Sequence, residues 1–425
     1  MMLKKLQLSQ LHFKDLLHPH DVIAWPQGPG EPLALTEVLV DQGGELDSPV
    51  LLFGLTQSNT LRPELAAHFK FRALNGAGTS RRVTALADIV ACHISSIHDL
   101  VRSGELRVDV VLIHVKPMQA GGFSLGVICD FTQVMIRRAR LVIALINPAL
   151  PVMGGDAFVD TADIDILVES DERIIDMSDP EPSAVELEVA KQVAVFIPDR
   201  ATVQLGVGTL PAAVAKALSN HRDLGVHSGV VSDVLVDLVE RGVVTNAYKL
   251  QYAGQTVTGG LFGTQRLRDF AEQSGLIAMR NAEFTHSLAV AGALPKFHTI
   301  NSAIEIDLSG QVNAEVAGGR YLGAVGGQAD FVRAGVASPG GRSIIAFPSA
   351  THDGKHSRIV GSLGNRPVTT ARTDVDMIVT EFGVAHLRGC SLRERAQRLI
   401  AIAHPDHRDL LSRELFDSQS VIFST

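Results

Sequence analysis

Short runs rich in Val, Ile and Leu recur along the chain at 50–53, 108–115, 141–146, 193–197, 344–347 and 377–379, each bounded by polar, Gly or Pro residues. Apolar runs this short, with no polar alternation, fit strands covered on both faces, as in a largely parallel sheet. Helical patterns lie between them at 32–39, 184–195, 211–218, 234–240 and 391–402. The last carries Leu392, Ala396, Leu399 and Ile400 on one face, with Arg and Glu opposite. Strand–turn–helix alternation of this kind predicts an α/β fold with mostly parallel sheets.

The chain has 425 residues, enough for two or three domains. The acidic, Pro-containing stretch 169–183 (ESDERIIDMSDPEPS) is the best place to divide it, into 1–183 and 184–425. The net charge is −8 and no run of five Lys/Arg occurs, which argues against a nucleic-acid partner. No apolar run reaches the ~18 residues of a membrane span, and the first residues lack the continuous apolar core of a signal peptide. Cys92, Cys129 and Cys390 are far apart and form neither a disulfide framework nor a CxxC pair. The expectation is a cytoplasmic protein acting on small molecules. With 38 glycines and only 5% aromatics, ligand contact through backbone is favoured over stacking.

Three Gly-containing segments carry candidate chemistry. Gln204-Leu-Gly-Val-Gly-Thr-Leu-Pro211 follows a strand-like stretch and opens a helix, so its backbone N–H groups could face an anion. It lacks the Lys-Ser/Thr of a P-loop and the third Gly of a dinucleotide fingerprint. Between Ala317 and Gly341, Gly326-Gly327 before Gln328 could offer donors to a developing oxyanion. Leu224-Gly-Val-His-Ser-Gly229 reads as a strand end and polar turn before the helix 234–240, where α/β folds place ligands. His227 there reads more readily as a structural hydrogen-bonder than as a catalytic group. His404-Pro-Asp-His407 has an i, i+3 His spacing, but Pro405 makes it a helix-ending turn, and no metal is expected. Asp307-Leu-Ser-Gly310 reads as a hairpin turn.

Taken in order, these segments resemble the acetyl-CoA hydrolase/transferase family, the branch of CoA-transferases that includes acetate, butyrate and 4-hydroxybutyrate CoA-transferases. The resemblance rests on Gly30-Glu-Pro32, Gly122-Phe-Ser-Leu-Gly126, the 204–211 turn, Leu224-Gly-Val-His-Ser228, and the 301–313, 326–331 and 379–389 segments, with Ala403-His-Pro-Asp406. It implies two similar open α/β/α domains with coenzyme A bound between them. It further implies transfer of CoA from an acyl-CoA to a small carboxylate, and a homodimer or larger assembly. By position, it assigns CoA contacts to Gly206, Val207, Gly208, Thr209 and Leu210. It places Asn301, Gly323, Gly326 and Gly327 near the thioester or pantetheine, while Lys355 and Arg358 are candidate partners for phosphates or a carboxylate.

The family pattern is Gly-x-His-Ser/Thr-Glu, with that Glu as nucleophile, whereas this chain reads Gly225-Val-His-Ser-Gly229. A glycine cannot form the acyl anhydride or the glutamyl-CoA thioester that the resemblance implies. Another carboxylate could reach the site, the candidates being Glu31, Glu64 and Asp233. Alternatively, water or the acceptor carboxylate attacks directly, giving a hydrolase or a non-covalent transferase. The remaining readings are a catalytically silent CoA-binding subunit and a hetero-oligomer whose other chain supplies the nucleophile. Transfer by an altered route is the leading expectation.

Overall fold

The computed structural model describes residues 3–169 and 173–422, with side chains to 416. Residues 170–172 of the acidic stretch used to divide the chain lie outside the described residues. Two large sheets organise the rest. The first runs Lys4–Gln7, Ile166–Glu169, Leu141–Ile146, Val110–Pro117, Val22–Ala24, Val50–Phe53, Lys70–Ala73 and Ala87–Ile89, every pair parallel. The second runs Ile277–Met279, Thr256–Leu261, Gly225–Val231, Thr202–Leu205, Phe297–Asn301, Arg342–Ala346, Met377–Thr380 and Gly383–His386. All its pairs are parallel except the last. The fully buried runs Val110–Val115 and Val142–Leu145 show why such strands carry no polar alternation.

The 193–197 run is not a strand. Val193 closes the helix Ala184–Ala194, packing with Val189 and Ala190 at zero exposure, while Val195 is 78% exposed beyond the helix end. Helical spacing from Val189 to Val193 overrides the local apolar run. Ser183 and Glu186 close a capping box at the start of this helix. The helix after the 204–211 turn spans Thr209–Ala217, so Pro211 lies in its first turn, where a missing N–H costs nothing. Pro405 opens the helix Pro405–Ile422 rather than ending one, for the same reason. The Asp307–Gly310 turn joins antiparallel strands Glu305–Asp307 and Val312–Asn313, with the Asp307 carboxylate accepting from Ser309 and Gln311 and Gly310 at φ +98°.

The two sheets are joined by backbone contact. Leu261 N donates to Val127 O (2.7 Å), Cys129 N to Gly259 O (2.9 Å) and Ala282 N to Asp130 O (2.8 Å). The largest apolar cluster runs through both halves, with Ile128 and Phe131 from one and Leu261, Phe262 and Met279 from the other. The Gly-rich segment also crosses over: Ile94 N donates to Gly326 O (3.0 Å) and Gly76 N to Gly323 O (2.8 Å). No described helix is long and apolar enough to cross a membrane.

Candidate active site

His227, Ser228 and Gly229 lie inside the strand Gly225–Val231, not in a turn after it. Their polarity is tolerated because each side chain is satisfied. His227 Nε2 donates to Thr285 O (2.9 Å), and Ser228 Oγ donates to Leu205 O (2.7 Å). Burial pushes the His227 imidazole down to about 4, so it stays neutral and structural. The next strand places Gly259 against Gly229, whose carbonyl lies 3.1 Å from the point a Gly259 Cβ would occupy.

The place a side chain on Gly229 would take is filled by His286. A Cβ on Gly229 would meet His286 Cε1 at 2.7 Å and Nε2 at 2.9 Å. A Cβ on Gly327 would meet the same ring at 2.5 Å. Both glycines therefore make room for one imidazole. The ring packs on Phe331 (centroids 4.6 Å apart) and its Nδ1 shares a hydrogen bond with Thr285 Oγ1 at 2.9 Å. His286 is 6% exposed, and burial lowers it to about 3. Nothing in the local pattern Asn-Ala-Glu-Phe-Thr-His286 distinguishes this histidine; only the fold brings it to residues 229 and 327.

The turn at Gly206 to Leu210 lies at the carboxyl end of the strand Thr202–Leu205, where the helix Thr209–Ala217 begins. A Cβ on Gly208 would meet nothing within 4 Å, and its φ of +120° is one that favours glycine. Thr209 Oγ1 hydrogen-bonds Glu186 Oε1. Asn301 Nδ2 donates to Gln204 Oε1 (3.3 Å) on the adjacent strand. Gly323 is a packing requirement: a Cβ would sit 1.9 Å from Ala314 O. Gly326 (φ +56°) and Gly327 precede the helix Gln328–Ala337, whose N-cap carries no side-chain hydrogen bond. A groove of about 2330 Å³ beside these segments is lined by Gly323, Glu186, Lys355 and His356, among others. Lys355 is exposed there, 3.9 Å from Asp353. Arg358 also lines the groove; its Nε donates to Ile304 O and its Nη2 to Ala303 O, both at 2.8 Å, which holds the guanidinium in place while Nη1 makes no hydrogen bond among the described residues.

The three candidate carboxylates are not brought together. Glu64 is exposed in a short 3-10 turn, Pro63–Ala67. Asp233 accepts from Thr264 N, Thr264 Oγ1 and Leu267 N at 3.0–3.2 Å, capping the helix Gln265–Ser274. Glu31 is 2% exposed; its Oε1 accepts from Ser58 (2.9 Å) and Thr36 (3.1 Å), and burial raises its carboxyl. A fourth carboxyl, absent from the sequence reasoning, is Asp130. Gln27 Nε2 (2.8 Å), Phe131 N (2.6 Å) and Thr132 Oγ1 (3.2 Å) donate to it, and burial raises it to about 6. Asp130 Cα lies 3.6 Å from the Cβ point of Gly259, next to Gly229. Among the described residues no group of three or more His, Cys, Asp or Glu could hold a metal ion.

Residues 77–178 match the acetyl-CoA hydrolase/transferase N-terminal domain, and 263–415 match the acetyl-CoA hydrolase/transferase C-terminal domain. The chain is 36% identical over 404 residues to a 4-hydroxybutyrate coenzyme A transferase of Clostridium kluyveri, covering 93% of this chain and 94% of that one. The chain belongs to the acetyl-CoA hydrolase/transferase family. It superposes on RipA from Yersinia pestis with a TM-score of 0.91 at 31% identity, covering 98% of each chain. An acetyl-CoA hydrolase of Kluyveromyces lactis is 28% identical over 278 residues, 61% of this chain and 51% of that enzyme. Family membership supports chemistry on acyl-CoA thioesters, by transfer or by hydrolysis. The 204–211 turn and the 224–229 segment fall between the two matched segments.

Proposed function

We propose that this protein transfers coenzyme A from an acyl-CoA to a small free carboxylate, with the acceptor attacking the thioester directly. The observation that carries the reading is the imidazole seated where a side chain at position 229 would be. Glu64 and Asp233 offer no substitute, one being exposed and the other engaged in a cap. In this route an acceptor carboxylate oxygen adds to the thioester carbonyl, and the C–S bond breaks to release CoA thiolate. The thiolate then adds to the acceptor-derived carbonyl of the mixed anhydride, and the original acid leaves as carboxylate. Backbone amides at the start of the helix Gln328–Ala337 suit the two oxyanions. The 206–210 turn suits the CoA moiety, and Lys355 suits its phosphates.

Direct attack requires both substrates on the protein at once. Initial rates against both concentrations should give intersecting lines, not the parallel lines of a ping-pong scheme. Borohydride reduction after incubation with acyl-CoA alone should label no Glu or Asp; a labelled Glu31 or Asp130 would establish a covalent route instead. Thermal stabilisation by CoA without turnover would leave a CoA-binding subunit.

A further inference from the structure

His286 offers more than a space-filling ring. Thr285 Oγ1 has one hydrogen, and it is placed to donate to Asn281 O (3.1 Å). That carbonyl can only accept, so with both contacts made, Nδ1 of His286 must donate to Thr285 Oγ1. The proton therefore sits on Nδ1 and leaves Nε2 with a bare lone pair. Nε2 makes no hydrogen bond among the described residues, although the side chain is more than nine-tenths buried. It is also not among the unpartnered atoms sealed from solvent.

Nε2 lies against a built feature. It lies 2.9 Å from the Cβ point of Gly229 and 2.5 Å from that of Gly327, the N-cap of the helix Gln328–Ala337. An unpartnered acceptor thus faces the start of a ten-residue helix whose first amides lack a side-chain cap. The acceptor suits a proton donor such as water, while the amides suit an oxyanion. A carboxylate, which also only accepts, gains nothing from this nitrogen.

We propose that His286 Nε2 is the general base for a water that attacks the acyl-CoA thioester, giving the protein a thioesterase activity separate from transfer. The inference rests on the proposed placement of the thioester carbonyl at the 326–328 amides. As the water oxygen bonds the carbonyl carbon, its proton passes to Nε2. The tetrahedral oxyanion collapses, the C–S bond breaks, and the thiolate takes the proton back from Nε2, leaving a carboxylic acid and CoA. The imidazolium exists only while paired with the oxyanion or thiolate. Thr285 is a positioning residue that fixes the tautomer.

The test measures CoA release without an acceptor and CoA transfer with one, on the same preparations. His286→Gln should lower hydrolysis about 100-fold or more and transfer by a much smaller factor, because a carboxylate acceptor needs no deprotonation. Thr285→Val should lower hydrolysis by a smaller factor, again more than it lowers transfer. Equal loss of both activities, unchanged hydrolysis in a folded His286→Gln protein, or no wild-type hydrolysis would each overturn the proposal. Should His286→Gln not fold, Thr285→Val decides: hydrolysis falling more than transfer supports the base, and unchanged hydrolysis or a proportionate loss of both overturns it. Hydrolysis that depends on His286 with no transfer to any carboxylate would leave this inference standing and retire the transferase reading.

Discussion

At Gly229 the backbone has room for a side chain in its own dihedrals but not in its surroundings. The nearest atoms belong to the ring of His286, held from behind by Thr285 and Phe331. Gly229→Glu alone should therefore destabilise the protein by about 1–3 kcal/mol, the usual cost of overfilling a packed site. Adding His286→Ala should recover most of that loss; urea unfolding of the three proteins checks both statements. Lys249 makes a second residue-scale prediction. Its Nζ is buried and donates to Val226 O (2.8 Å) and Gln255 O (2.7 Å), two acceptors that match the two hydrogens of a neutral amine. Burial lowers it from 10.5 to about 7. Between about pH 7 and 10.5 the unfolded chain holds the proton that the folded one has released, so stability rises with pH across that window and is flat below it. The melting midpoint should climb from pH 7 to 10 in the wild type, and Lys249→Met should flatten that slope.

Element by element, the parts with strong local signals were readable. The helix Leu392–Ala401 combines an apolar stripe with the Ser391/Glu394 capping box, and strands 50–53 and 141–146 are apolar throughout. The 227–229 segment was misplaced because polar residues in a strand look like a turn until their partners are known. Those partners, Thr285 and Leu205, are remote in sequence. Asp233 shows the same limit: as one helical turn past Gly229 it looked available, yet it holds the start of a different helix. Asp233→Ala should cost about 1 kcal/mol, as loss of a cap does. Transfer per folded molecule should be retained, as denaturant titration beside an activity assay would show.

Across the whole molecule, backbone contacts join the first half to the segments that carry the site, at Cys129–Gly259, Ala282–Asp130 and Ile94–Gly326. Ser95 ties the helix start at Asp330 to the first half, its Oγ donating to Oδ1 (2.7 Å) and its N to Oδ2 (3.2 Å). Ser95→Ala removes one of these bonds next to the proposed oxyanion amides. It should raise KM for acyl-CoA more than it shifts the melting midpoint, because one backbone bond to Asp330 remains. Proportional losses in KM and stability would indicate a general loosening instead.

By itself the sequence determined the α/β class, the glycine turns that leave backbone exposed, the family, and the absence of a carboxylate at position 229. Each of these is written in residues adjacent or regularly spaced along the chain, where sterics and periodicity act locally. What fills the space beside Gly229 was decided only by tertiary structure. His286 is 57 positions from Gly229 and carries no local signal (286 − 229). Its role follows from a ring packed between two glycine backbones, and from a hydrogen-bond chain through Thr285 that fixes which nitrogen keeps its lone pair.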